Sequence, residues 1–267
     1  MTEVVTVVGS VNIDTAVMVR RMPMAGQTVP GRSLSRRPGG KGANQAVAAA
    51  AAGVPTRLIA AFGTDDLGAA YRHGLHTRYG LDVASSVCVE KPTGEAIITV
   101  DENGENSIVT VAGANDSLDV ATVIDRLGHA GWVLLQCEIP SSVVLAVIHV
   151  ARERGMKIAL NASPVIPEIE ILAPLCDLVI ANEHEASQIS KQNNLCITRG
   201  SADVTWGDLT VAPHTVNPVD TTGAGDAFAG TLVASLALGQ SKIKALEAAV
   251  RASADVVQFH GAQPWQF

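Results

Sequence analysis

Short apolar runs alternate with helix-length stretches along the first two thirds of the chain. Residues 4–8, 57–62, 132–136, 157–160 and 178–181 are runs of this kind, rich in Val, Ile and Leu. They lack the polar alternation of a half-exposed strand, so they read as strands buried on both faces. Between them lie the helical stretches 43–52, 67–79, 118–127 and 141–154, with Gly53 and Gly155 placed as C-terminal stops. This alternation predicts an α/β fold, a mainly parallel sheet with helices on both faces. The last third predicts two long Ala-rich helices, 223–238 and 242–259.

Two segments break the alternation. Residues 16–37 mix Pro, Met and Gly with short β-prone pieces. Residues 93–111 read as a hairpin: 96–100, a turn at Glu102-Asn103-Gly104, then 107–111. Together they predict a small antiparallel β lid over one edge of the main domain, which would comprise 1–15, 38–92 and 112–267.

Composition narrows the function. The 267 residues are enough to bury a core without disulfides or a structural metal. Hydrophobic residues are 47%, which excludes a disordered chain, and aromatics are only 3%, which disfavours a base-stacking surface. With a net charge of −7 the chain predicts no nucleic-acid partner, and the basic cluster Arg36-Arg37…Lys41 is too short to reverse that. Cys88, Cys137, Cys176 and Cys196 form no CxxC pair and have no His cluster beside them, so they read as free thiols in a reducing compartment. The N-terminus has no basic leader, and the apolar stretches 46–54 and 227–238 are too short to span a bilayer. A cytoplasmic protein with no membrane partner is expected.

The segment with most chemistry is Asp220-Thr221-Thr222-Gly223-Ala224-Gly225-Asp226, followed by Ala227-Phe228-Ala229-Gly230. A glycine turn opening a helix presents free N–H groups and the positive end of the helix dipole, which suits an anion. Asp226, in the first turn, reads either as a stabilising charge or as a base beside that anion. Upstream, Pro38-Gly39-Gly40-Lys41-Gly42-Ala43-Asn44-Gln45-Ala46 is another glycine loop leading into a helix. It is not a Walker A loop, because Gly42 follows Lys41 where Ser or Thr is needed.

Taken whole, these two segments resemble the signatures of the ribokinase (PfkB) carbohydrate kinase family. Gly9-Ser10-Val11-Asn12-Ile13-Asp14, Gly113-Ala114-Asn115, Glu138, Asn182-Glu183-His184-Glu185 and Gly261-Ala262-Gln263-Pro264 match it in order along most of the chain. The resemblance implies ATP-dependent phosphorylation of the primary hydroxyl of a pentose, with D-ribose giving ribose 5-phosphate. It implies Asp226 as catalytic base, with backbone N–H groups of Thr222, Gly223, Ala224 and Gly225 as anion hole. Asn12, Asp14, Gly40, Lys41, Asn44, Glu138 and Asp226 are implied in sugar binding. Asn182, Thr198, Gly200 and Gly225 are implied in ATP binding, and Glu185 in ordering Mg²⁺. Asp220, Thr222 and Gly261 are implied at a monovalent cation, K⁺. A homodimer formed through the lids is also implied, and the apolar lid residues Val17, Val19, Ile98, Val100 and Val109 suit it or a lid core equally.

Other kinase readings stay open on the residues alone. A nucleoside substrate would want an aromatic platform, and 16–37 and 93–111 contain no Phe, Tyr or Trp. A phosphosugar would want cations, which Arg36 and Arg37 could supply. A non-catalytic sugar-binding protein is the remaining alternative, motivated by a short nucleotide half. Only 16 residue steps separate Asn182 from Thr198, where a strand–helix–strand unit needs more chain. Thr198-Arg199-Gly200-Ser201 resembles the family's nucleotide turn, but Ala202-Asp203 departs from it, and Trp265 stands where the family has a small polar residue. The shortness reads as residues missing at 190/191, 202/203 and 264/265 rather than as a trimmed enzyme.

Overall fold

The β-branched run near the N-terminus becomes Val5–Val8, which pairs in parallel with Thr56–Ile59 on one side and Trp132–Leu135 on the other. The structure, a computed structural model, describes residues 3–267. Lys157–Asn161, Leu178–Asn182 and Leu195–Arg199 continue the sheet, all parallel. Successive residues along each strand feed opposite cores. Val5, Val7 and Leu134 pack under the helices Lys41–Ala51, Ala224–Ala237 and Lys242–Val256. Val8, Val133 and Leu135 pack under Val120–Arg126 and Ser141–Glu153. Both faces are therefore covered, and the expected α/β architecture is present.

Several boundaries differ from expectation for local reasons. The run 57–62 breaks at Ala60, whose N–H is taken by Ser86 Oγ at 3.1 Å, and Ala61–Gly63 turns away to pair with Val87–Val89. The helix expected over 118–127 contracts to Val120–Arg126, because Asp119 caps it by accepting from the Thr122 N–H at 2.9 Å. Two further strands, Ala202–Trp206 and Leu209–Val211, complete the far edge as antiparallel hairpins. The two-residue turns Gly200-Ser201 and Gly207-Asp208 leave no chain for a crossover.

The three junctions expected to lack residues are each bridged locally. Gln192 donates to the Ser190 carbonyl, Arg199 lies opposite Ala202 in a hairpin, and the Trp265 N–H donates to the Gln263 carbonyl at 2.9 Å. The short connections are closed by these contacts. Trp265 packs on Tyr71 and Phe267 with the Arg78 guanidinium 4.8 Å above its ring, so it belongs to the helix Asp66–Tyr79 and not to the Asp220 loop.

The small sheet is ordered Gly31–Gly39, Asn12–Val19, Gly94–Val100, Asn106–Val111. Its two outer pairings are antiparallel and its central one is parallel, because Asn12–Val19 and Gly94–Val100 both leave the main body in the same direction. Strand alternation and register put Asp14 and Ala96 on one face, and Leu34, Ile97, Val109 and Val111 on the other, where all four are exposed.

All four cysteines are free, and burial pushes the thiols of Cys137, Cys176 and Cys196 up to about 12. Among the described residues no helix is long and apolar enough to cross a membrane.

The helices Lys41–Ala51 and Ala224–Ala237 approach most closely at Gly230. A Cβ built there would lie 2.3 Å from the Gln45 carbonyl oxygen and 2.8 Å from the Ala48 Cβ. Gly230→Ala is expected to cost about 1–3 kcal/mol of stability by overpacking. Thermal unfolding would register this as a Tm several degrees lower, and an unchanged Tm would contradict the contact.

Candidate active site

In an open parallel sheet, ligands bind beyond the carboxyl ends of the strands, where the strand order reverses. Here that point lies beside Val5–Val8, whose successive neighbours in the chain fall on opposite sides of it. Beyond it, Gly9–Asp14, the loop at Gly40, Glu138 and the turn at Gly223 meet. Gly40 precedes the helix Lys41–Ala51 with φ +88°, and a Cβ there would lie 2.6 Å from the Asn12 N. Only glycine allows both the conformation and the contact. Gly223 has φ +81° and sits against the Gly261-Ala262 loop, with a built Cβ 2.3 Å from that of Ala262.

Asp226 is buried in the first turn of Ala224–Ala237. Its Oδ2 accepts from Asn44 Nδ2 at 3.0 Å, and its Oδ1 accepts from Gln45 Nε2 at 2.9 Å. Burial pushes its proton affinity up. The Lys41 ammonium and the two amides oppose this without cancelling it, so the carboxyl sits above the ordinary range. Asp14 is pushed further, to about 7, by burial and by the charges of Glu138, Asp226 and Asp220, against Lys41. Burial draws the Lys41 ammonium down, but Asp226, Glu138 and Glu185 outweigh it and hold the group above its usual value. Glu138 Oε2 accepts from Ser10 Oγ at 2.6 Å and from the Lys41 N–H at 3.2 Å, fixing the start of the helix. Asn12 is oriented by Asn115, whose amide donates to Asn12 Oδ1 at 2.8 Å and pairs with the backbone of Val11.

A cavity of about 240 Å³ runs from these residues toward the far strands. Lys41, Asn182, Glu185, Thr198, Gly223, Ala224, Gly225 and Asp226 line it. It brings the expected nucleotide-side residues Asn182, Thr198 and Gly225 together with Lys41 and Asp226, whereas Asn12, Asp14, Gly40, Asn44 and Glu138 lie outside its lining. Gly200 is not in its lining; it occupies a hairpin turn with φ +59°. Asn182 and Glu185 form a capping box on a one-turn helix, with Glu185 Oε2 accepting from the Asn182 N–H and Asn182 Oδ1 from the Glu185 N–H, both at 2.8 Å.

Two of the four backbone N–H groups expected to form an anion hole already have partners. The Thr222 N–H donates to Asp220 Oδ1 at 2.9 Å, and that of Ala224 points to the Thr221 carbonyl at 3.3 Å. Gly223 and Gly225 have no such partner among the described residues and remain free to bind an anion. The other oxygen of Asp220 accepts from the Gly261 N–H at 2.8 Å, so Asp220, Thr222 and Gly261 do meet, with one carboxylate tying two loops together. Burial pushes Asp220 upward, but its hydrogen bonds with Thr222 and Gly261 and the nearby His260 hold it below the usual carboxylate range. Arg37, a candidate phosphate cation, instead donates to the His260 carbonyl at 3.2 Å.

Five buried amides around Asp226 and Asn12 had no role assigned from the sequence: Gln45, Asn115, Gln136, Asn161 and Gln263. A signal was available for two of them. Gln136 and Asn161 each close an apolar run at its carboxyl end, where the functional face of a parallel sheet lies.

Residues 2–266 match the pfkB family carbohydrate kinase pattern. The chain belongs to this family. Among curated relatives it is 34% identical to the ribokinase of Bacillus subtilis, over 97% of this chain and 94% of that protein. It is 32% identical to the ribokinase of Schizosaccharomyces pombe, over 97% and 93%. Among solved structures it is similar to Arabidopsis thaliana ribokinase complexed with ribose and ATP, with TM-score 0.85, 27% identity and coverage of 99% and 96%. Ribokinase from Cryptococcus neoformans in complex with ADP gives TM-score 0.84, 30% identity and coverage of 97% and 95%.

Because the native Asp14 carboxyl holds its proton up to about pH 7, it adds stability at low pH that is lost as pH rises through that value. Asp14→Asn removes this loss. The substitution is expected to raise the Tm of the ligand-free protein more at pH 8 than at pH 5; an equal effect at both would show that Asp14 titrates normally.

Proposed function

We propose that this pfkB kinase transfers the γ-phosphoryl group of ATP to the primary hydroxyl of D-ribose, giving ribose 5-phosphate. The observation that carries the reading is the buried Asp226 carboxylate, held by two amides beside free glycine N–H groups at a helix N-terminus. The ribokinase relatives support the choice of sugar, and the diversion of Arg37 to a backbone carbonyl disfavours a phosphorylated acceptor.

Asp14, Lys41, Asn44 and Glu138, with Asn12 and the Gly40 backbone, would fix the sugar hydroxyls through a mixture of donors and acceptors. Asp226 accepts the proton of the attacking hydroxyl, and its raised proton affinity suits that task. The Gly223 and Gly225 N–H groups and the helix dipole stabilise charge on the transferred phosphoryl group. Asn182, Thr198, Gly200 and Gly225 would hold the nucleotide, with the phosphates in the 240 Å³ cavity. The small sheet acts as the lid that excludes water over 16–37 and 93–111.

The donor set fits Mg²⁺ only in a particular way. Among the described residues no group of three His, Cys, Asp or Glu forms a cage. A lone Glu185 beside the phosphate cavity suits an ion held mainly by phosphate and water. When bound, Mg²⁺ would neutralise developing charge on the phosphates. For K⁺, the Asp220 carboxylate is the anionic oxygen donor at the junction with Thr222 and Gly261, and a monovalent cation held there would steady the anion-hole turn. The exposed Leu34, Ile97, Val109 and Val111 face would pair two copies through their lids.

The test is ATP consumption with ribose, deoxyribose, fructose, fructose 6-phosphate and adenosine. Ribose is expected to be turned over best, and absence of turnover with every acceptor would defeat the reading. Asp226→Asn is expected to lower kcat by about 10²–10⁴-fold with sugar binding retained.

A further inference from the structure

We propose that Gln263 is a positioning residue for this phosphoryl transfer: its amide dictates which end of the Asn44 side chain faces Asp226. The inference rests on Asp226 being the proton acceptor.

The argument is one of hydrogen-bond polarity. The Gly39 carbonyl oxygen can only accept, and the Tyr71 hydroxyl donates to it at 2.8 Å. The Tyr71 oxygen is thereby turned to accept from Gln263 Nε2 at 2.6 Å. At the other end of the Gln263 amide, Oε1 accepts from the Trp265 indole N–H at 3.3 Å, a group that can only donate. Gln263 is thus oriented at both ends by partners that cannot reverse. Its Nε2 also donates to Asn44 Oδ1 at 2.9 Å. The Asn44 amino group is left to face Asp226 Oδ2 at 3.0 Å. If Asn44 flipped, two oxygens would oppose each other in a buried site. Tyr71 and Gln263 are fully buried, so water offers them no substitute partner.

The other arm is anchored too: Gln45 Nε2 donates to Asn161 Oδ1 at 2.9 Å, and Asn161 Nδ2 donates to the Ile180 carbonyl at 3.1 Å. Gln45 also donates to Asp226, and its own carbonyl accepts from Gln136 Nε2 at 2.6 Å. Gln136 Oε1, however, is buried without a partner. The Gln263 arm is the one that fixes Asn44, and a change at Gln263 leaves the Gln45 arm in place. A second consequence concerns the sugar. With Gln263 fixing the Asn44 amide, the second amino hydrogen of Asn44 is left to donate, and a sugar oxygen beside it would accept.

Two near-isosteric variants separate positioning from packing. Gln263→Met keeps the volume and removes the amide. Gln263→Glu keeps the shape but presents only acceptors when ionised, and so invites the Asn44 flip. Expected are a kcat at least about tenfold lower in Gln263→Met and lower still in Gln263→Glu, with KM for ATP unchanged. The acid limb of the kcat profile should move to higher pH, because a carboxylate that loses a donor holds its proton more tightly. Lys41, Glu138, Asp14 and Tyr71 are the other titratable groups bearing on Asp226, and all remain in these variants. Folded variants with wild-type kcat and an unmoved limb would overturn the proposal. Should neither variant fold, Tyr71→Phe, which removes the anchoring hydroxyl, decides by the same criterion. Failure of the underlying reading looks different: the wild-type protein would phosphorylate no sugar, or Asp226→Asn would stay active.

Discussion

A carboxylate buried at a helix N-terminus is the constraint around which this molecule is arranged. Asp226 would be expelled or neutralised in an apolar interior, and it is retained because amide donors and a lysine surround it. Those donors come from the helix Lys41–Ala51, which must lie close enough to reach across. The close approach depends on small residues at the contact, Ala46, Ala49 and Gly230 among them, and this gives the Ala- and Gly-rich composition a structural purpose. Fold and site are thus one packing solution: the same two helices form the core layer and hold the acid.

The charges at the site form a mutually dependent set. The charges of Glu138, Asp226 and Asp220 all oppose ionisation of Asp14, Glu138 opposes that of Asp226, and Lys41 offsets them at both. A sugar, being neutral, adds no charge to this balance, but its hydroxyls can supply the hydrogen bonds that burial denies. A phosphorylated acceptor would bring anionic oxygens into a cluster already rich in carboxylates, with Arg37 committed elsewhere.

Much of this was legible in the chain. The strands buried on both faces were plain because Val5–Val8, Trp132–Leu135 and Leu178–Asn182 carry continuous apolar runs. The glycine turns were plain because few environments tolerate Gly39-Gly40 or Gly223-Ala224-Gly225. What escaped were features decided by partners distant in sequence. Ala202–Trp206 is short and mixed in polarity, and becomes a strand only because Leu195–Arg199 offers it an edge. The commitment of the Thr222 N–H to Asp220 could not be read from residue types alone. Nor could the link from Gln263 to Asn44, since those residues are 219 positions apart.

The parallel pairing at the centre of the small sheet has a further consequence. Asn12–Val19 follows Val5–Val8 after only three residues and carries Asp14 on its inner face. On the proposed function, the strand that forms the cover would also be the strand that reads the substrate. Any outward swing of the cover would take Asp14 into water and relax its proton affinity toward that of an ordinary carboxylate. If the small sheet moves, access to the site and proton uptake at Asp14 would change together through this strand.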